Sequence, residues 1–157
     1  MKRSSKAHWN GDLSTGHGEL TTDSLVLNKT GYSFNTRFAD GVGTNPEELL
    51  AASHAGCFTM ALAYALSQAG LKVNDLDTTA VVIVDMSKSS ITDIELTLDA
   101  APIDSLSEEA FLHYAIGAKQ SCLLSKALTG VVISLHVNYM GLHQHIDGNA
   151  KSVDHVS

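Results

Sequence analysis

The sequence predicts an α+β fold, and three observations carry that prediction. Short alternating segments between turn residues fill the first part of the chain, a long apolar helical pattern begins at Asn45, and a hairpin, a second helix and a last strand follow. Strands and helices therefore come in runs, β-β-β, long helix, β-β, helix, β. That order belongs to an α+β chain rather than to a regular βαβ alternation.

The opening segments Ala7 to Asn10, Gly18 to Thr22 and Leu25 to Asn28 are separated by Gly11-Asp12, Ser14-Thr15-Gly16 and Asn28-Lys29-Thr30-Gly31. This spacing predicts a β-meander. Tyr32 to Phe38 is expected to continue it, with Arg37 on the polar parity of an aromatic–polar alternation. Asp40 to Thr44 breaks the pattern before a strong helix start. Asn45 caps, Pro46 fits the first helical position, and Glu48 completes a capping box. The helix is predicted to run to about Ala69 and stop at Gly70. Its apolar residues nearly encircle it, which implies cover on all sides, with a second subunit as a natural source.

Thr78 to Asp85 and Ile91 to Leu98 read as a hairpin, the second strand alternating with a period of two. Ser105 or Ser107 caps a helix from Glu108 to Lys119, Cys122 to Leu128 forms a short helix, and Val131 to Tyr139 is the last strand. A single domain over residues 1–140 is expected, with a polar, His-containing tail over 141–157.

The chain has 157 residues, 44% hydrophobic and 17% charged, enough for one core. A net charge of −7 argues against a nucleic-acid surface and an anionic membrane surface. The basic N-terminus has no apolar stretch behind it, and no run is read as reaching the roughly 18–20 apolar residues of a membrane span. The expectation is a soluble, cytoplasmic protein with neither nucleic-acid nor membrane partners.

Only two cysteines occur, Cys57 deep in the long helix and Cys122 after the second helix. Without a Cys-x-x-Cys motif, neither a thioredoxin-type site nor a zinc knuckle is available, and two unlike settings point to thiol redox chemistry. Thiolate is the nucleophile, and burial alone would raise the Cys57 pKa, so an activating cation is required. Arg37 is the candidate, and Glu47, in the first helical turn, is its anionic partner. Taken singly, each residue has a plainer role: buried packing for Cys57, a helix-dipole acid for Glu47, an ordinary strand residue for Arg37. His54, at i and i+3 with Cys57, and the pair His143 and His145 admit a metal, but packing and solvation are the favoured readings.

The block Gly43-Thr-Asn-Pro-Glu-Glu-Leu-Leu-Ala-Ala-Ser-His-Ala-Gly-Cys57-Phe-Thr-Met-Ala-Leu62 closely resembles the OsmC/Ohr family of thiol-dependent hydroperoxide reductases. Ala7 to Asp12, Phe34 to Phe38 and Ala118 to Leu128 agree in order, and the arginine in Asn35-Thr36-Arg37-Phe38 resembles the OsmC (osmotically inducible protein C) branch. The resemblance implies an OsmC-like fold, antiparallel sheets around a long buried central helix in an intertwined homodimer. It implies Cys57 as the peroxidatic and Cys122 as the resolving cysteine, with Arg37 contacting the thiolate and Glu47 orienting Arg37. Organic hydroperoxides would be the substrates in oxidative and osmotic stress defence, with no bound cofactor and a small dithiol or lipoyl-type reductant. An apolar-ligand binding protein with incidental thiols, or a one-shot redox sensor, are the alternative readings. One departure stands out: the family commonly has Asn-Cys-Pro at the second cysteine, where this chain has Ser121-Cys122-Leu123. A changed rate of resolution is the expected consequence.

Overall fold

The computed structural model describes residues 1–148. The chain divides into two compact units, a first through Leu49 and a second beginning at Leu50, and helix α2 runs through the division.

The first unit holds a three-stranded antiparallel sheet of β1 (Ser5–Asn10), β2 (His17–Thr22) and β3 (Thr30–Tyr32). Trp9 and Tyr32 pack with ring centroids 5.5 Å apart. Gly18 is required there, because a Cβ would overlap the Tyr32 ring. Two expectations are corrected. Leu25 to Asn28 is a loop and not a strand: Leu25 and Lys29 take left-handed φ of 60° and 52°, and the Leu27 carbonyl folds back to accept from the Thr22 amide. Tyr32 closes β3, but Phe34 to Phe38 does not continue the meander either. Ser33 accepts from the Thr36 amide while Thr36 Oγ1 accepts from the Ser33 amide, a reciprocal cap that starts the short helix α1 (Phe34–Phe38). The aromatic residues that suggest a strand are instead an i, i+4 pair, Phe34 and Phe38, with rings 5.0 Å apart.

Helix α2 (Pro46–Gln68) is built from both ends. Asn45 Oδ1 accepts from the Glu48 amide at 2.8 Å, but Glu48 takes the Thr44 hydroxyl rather than the Asn45 amide. At the other end the Leu71 amide donates to the Leu66 carbonyl and the Gly70 amide to Ser67, with Gly70 at φ 73°. This is a Schellman stop, and it needs the left-handed residue that glycine supplies.

The second unit is a four-stranded sheet of β4 (Leu76–Asp85), β5 (Ser90–Ala100), β6 (Val132–Tyr139) and β7 (Leu142–Ile146), with α3 (Glu108–Ser121) and α4 (Leu123–Ala127) between β5 and β6. The sheet is not wholly antiparallel. β5 and β6 run parallel, because α3 and α4 supply the long crossover such a pair requires. Ile94, Leu96 and Leu98 alternate with outward Glu95 and Asp99 along β5, and Ile133, Leu135, Val137 and Tyr139 do so along β6. These side chains join Phe111 and Ala115 of α3 and Phe58, Leu62 and Leu66 of α2 in one buried cluster. Phe111 stacks on Tyr139 at 4.0 Å, and the Tyr139 hydroxyl accepts from the Ile103 amide and donates to the Leu106 carbonyl.

Strand β7 lies where a loose tail from Gly141 is expected, so residues 142–146 belong to the sheet. The sequence there offers only Leu142 and Ile146 as apolar positions, and the strand is fixed by pairing with β6. The rest of the expected tail, from residue 149, lies outside the described residues.

Within one chain α2 is covered on one face only. His54, Phe58, Leu62 and Leu66, four apart, are buried, while Met60 and Tyr64 are 74% and 68% exposed. By length and composition α2 is also long and apolar enough to cross a membrane, which corrects the reading that no run is. The core helices of soluble proteins meet the same criterion.

Two substitutions test this account by urea unfolding. Leu62→Ala removes a fully buried side chain from the core and is expected to cost about 2–5 kcal/mol. Gly70→Ala meets open space but forces a left-handed φ on a residue with Cβ, at about 1 kcal/mol.

Candidate functional site

Helix α3 ends at Ser121 because Cys122 leaves helical geometry, with φ −54° and ψ 127°. Its amide still donates to the Ala118 carbonyl, and its own carbonyl accepts from Lys126 to begin α4. Cys122 is thus the last cap of one helix and the first of the next. The kink turns its side chain toward α2, where the Cys122 and Cys57 sulfurs lie 3.2 Å apart. Both are free thiols. A disulfide would need about 1.2 Å of closure. The two differ in access, Cys57 being partly exposed and Cys122 1% exposed.

Burial raises the Cys57 thiol pKa, and the neighbouring Cys122 raises it further, against the opposing Leu124 and Leu123 amides. Burial acts the same way on Cys122, but the Ser125 amide, the Cys57 thiol, the Ser125 hydroxyl and the Leu124 amide outweigh it, so its pKa is lowered. At this separation the thiols titrate as a pair, and one negative charge is shared between two sulfurs.

A buried polar contact beside the cysteines carries no clear mark in the sequence. His54, expected as a packing residue, is fully buried one helical turn before Cys57, and its Nε2 lies 2.9 Å from Ser125 Oγ on α4. The available signal was spacing, since each polar residue stands three positions from a cysteine. Burial disfavours the imidazolium form and lowers the His54 pKa.

In the first unit Arg37 and Glu47 are joined by a fork of hydrogen bonds, Nη2 to Oε1 at 2.6 Å and Nε to Oε1 at 3.0 Å. The guanidinium lies over the Phe38 ring, 5.1 Å from its centroid. The hydrogen bond to Arg37 holds the Glu47 carboxyl below its usual range and the same bond raises Arg37. The Arg37 side chain is 45% exposed, so this pair orients a cation more than it stabilises the fold. Among the described residues no group of three or more His, Cys, Asp or Glu is placed to hold a metal. His143 bonds Asn138 and His145 bonds Asp147 instead.

Residues 39–136 match the family model described as OsmC-like protein. The chain belongs to the OsmC-like family. It is 41% identical over 130 residues to peroxiredoxin OsmC of Escherichia coli strain K12, spanning 82% of this chain and 90% of that one. It is 36% identical over 104 residues to an organic hydroperoxide resistance protein-like chain of Staphylococcus aureus strain USA300, covering 64% and 73%. Among solved structures it resembles the organic hydroperoxide resistance protein OhrB of Bacillus subtilis, with TM-score 0.61, 26% identity and coverage of 86% and 98%. An OsmC-like protein of Mycoplasma pneumoniae shares the fold alone, with TM-score 0.70 at 13% identity and coverage of 88% and 97%. The α+β architecture of this OsmC-like chain is that of its structural neighbours.

The buried imidazole sets a pH dependence of stability. Because the folded-state pKa of His54 is lowered, its contribution is complete above the ordinary imidazole value and is lost as pH falls through that value toward the folded one. Urea midpoints measured against pH should therefore decline on mild acidification, and His54→Gln should flatten that decline.

Proposed function

We propose that this chain is a thiol peroxidase that reduces organic hydroperoxides to alcohols. The observation that carries the reading is the pair of free sulfurs 3.2 Å apart, one accessible and one enclosed. That gradient divides the labour. Cys57 is the sulfur a peroxide can reach, and Cys122 is the sulfur that waits beside it. The names of its relatives, peroxiredoxin and organic hydroperoxide resistance protein, support the same activity.

In the first step the Cys57 thiolate attacks the terminal peroxide oxygen. The O–O bond breaks, the alkoxide takes a proton and leaves as alcohol, and the sulfur becomes a sulfenic acid. In the second step Cys122 attacks that sulfur, a disulfide forms, and the hydroxyl leaves as water. An external dithiol of small or lipoyl type then reduces Cys57–Cys122 by exchange. The steps need no bound metal, flavin or haem.

Burial works against the first step by holding the Cys57 thiol up. A fixed cation reverses this, and Arg37, gripped by Glu47, is the residue we assign to it. The exposed apolar face of α2, with Ala52, Gly56, Met60 and Tyr64, fits burial against a second copy of the chain. We assign the chain to an intertwined homodimer in the cytoplasm, acting in stress defence; the exposed face of α2 supports the second copy alone.

Consumption of cumene hydroperoxide with excess dihydrolipoamide or dithiothreitol tests the reading. Cys57→Ser should lose turnover, whereas Cys122→Ser should keep a part that grows with external thiol. Absence of turnover by the fully reduced wild type would overturn it. Arg37→Ala should slow the peroxide step about threefold for each unit by which the Cys57 pKa rises, a tenfold loss of thiolate partly regained in nucleophilicity. Sedimentation should return a dimer that Met60→Lys weakens.

A further inference from the structure

Two links cross from α2 to the segment that opens α4. One is the sulfur pair, Cys57 to Cys122 at 3.2 Å, and the other is His54 Nε2 to Ser125 Oγ at 2.9 Å. His54 stands three residues before Cys57 and Ser125 three residues after Cys122, so the links lie about one helical turn apart on each segment. The second link has a defined direction. The imidazole is fully buried, and among the described residues its Nδ1 has no hydrogen-bond partner. A buried N–H without an acceptor is costlier than a bare lone pair, so the proton of the neutral ring belongs on Nε2 and is donated to Ser125 Oγ. Helix α4 has little else to hold it. It is five residues long with none buried, and of its apolar side chains Leu124 alone packs against the core. A helix that short is not stable by itself. Its partner α2 is the fixed body, with His54 on the same buried face as Phe58 and Leu62.

We propose that His54 and Ser125 are positioning residues for disulfide formation: their hydrogen bond clamps α4 to α2 and so keeps Cys122 within reach of Cys57. Closing the disulfide takes about 1.2 Å of sulfur movement, and the ordering of α4 that closure demands is already supplied by the clamp. Two constraints across the same pair of segments each lower the entropy cost of the other. The clamp therefore favours the disulfide over the dithiol. In turnover it shortens the time for which a Cys57 sulfenic acid waits for Cys122 and is open to a second peroxide. In that attack the S–S bond forms as the S–O bond breaks, and the hydroxyl leaves as water with the proton from Cys122. His54 and Ser125 exchange no proton in it. Only this turnover consequence rests on the peroxidase reading; the clamp on the disulfide does not.

The test equilibrates the full chain with mixtures of oxidised and reduced dithiothreitol and reads the disulfide fraction by thiol alkylation and mass spectrometry. Two protein thiols and the oxidised reagent give the protein disulfide and the reduced reagent, so no peroxide is needed. Ser125→Ala should lower the equilibrium constant for Cys57–Cys122 about tenfold, which raises the reduction potential by about 30 mV. His54→Leu should act alike, and carries the test should Ser125→Ala fail to fold. The double variant should lose no more than either single one, because the same bond is removed in all three. In excess cumene hydroperoxide both variants should also form more Cys57 sulfinic acid than the wild type. No oxidation of Cys57 at all would count against the peroxidase reading and leave the equilibrium result standing. A folded Ser125→Ala or His54→Leu protein with an unmoved potential overturns the proposal, and so do losses that add in the double variant.

Discussion

The reactive centre depends on one backbone constraint, the kink at Cys122. Had α3 continued, the residue after Ser121 would have stayed on the helix surface. Instead Cys122 takes φ −54° and ψ 127°, keeps the last hydrogen bond of α3 and starts α4 with its own carbonyl. The sulfur is thereby brought to Cys57, and the amides of the new helix act to lower the pKa of both thiols. The break is anchored on either side. Ala118 is buried in the core before it, and Ser125 is tied to α2 through His54 after it.

Around this kink, desolvation and hydrogen bonding pull in opposite directions, and the balance differs between the two thiols. A sulfur withdrawn from water loses thiolate character unless donors replace the water. Cys122, the more enclosed, has the fuller set of donors. Cys57, the more accessible, has fewer, and burial prevails. Within the second unit alone Cys57, the more accessible thiol, is therefore the one less ready to ionise. A cation outside that donor set would reverse the balance, which is the role proposed above for Arg37.

Much of this was legible in the sequence where a signal is local. Asn45, Pro46 and Gly70 mark the ends of α2 through capping geometry, and the period-two alternation of Ile94, Leu96 and Leu98 marks β5. The misses occurred where a local pattern has two solutions or none. Phe34, Arg37 and Phe38 suit a strand by composition, but the Ser33–Thr36 cap selects a helical turn. Strand β7 is chosen by its partner β6 and leaves little trace in its own residues. The cysteines, Arg37 and Glu47 were named from chemistry and resemblance. The His54–Ser125 contact spans 71 residues, a separation at which spacing says nothing.

The leucine after the second cysteine illustrates how a departure from a family pattern can preserve shape while altering chemistry. A proline there would require the preceding residue to be extended, and Cys122 already is. The turn therefore keeps the form that proline would impose, with Leu123 itself 73% exposed and taking little part in the core. What leucine adds is an N–H, which proline lacks, and that amide is among the groups lowering the Cys57 pKa. The exchange gives up rigidity at the first residue of α4 and gains a donor toward Cys57. Such a change favours the thiolate of Cys57 while leaving the His54–Ser125 contact, on the next turn of α4, as it was.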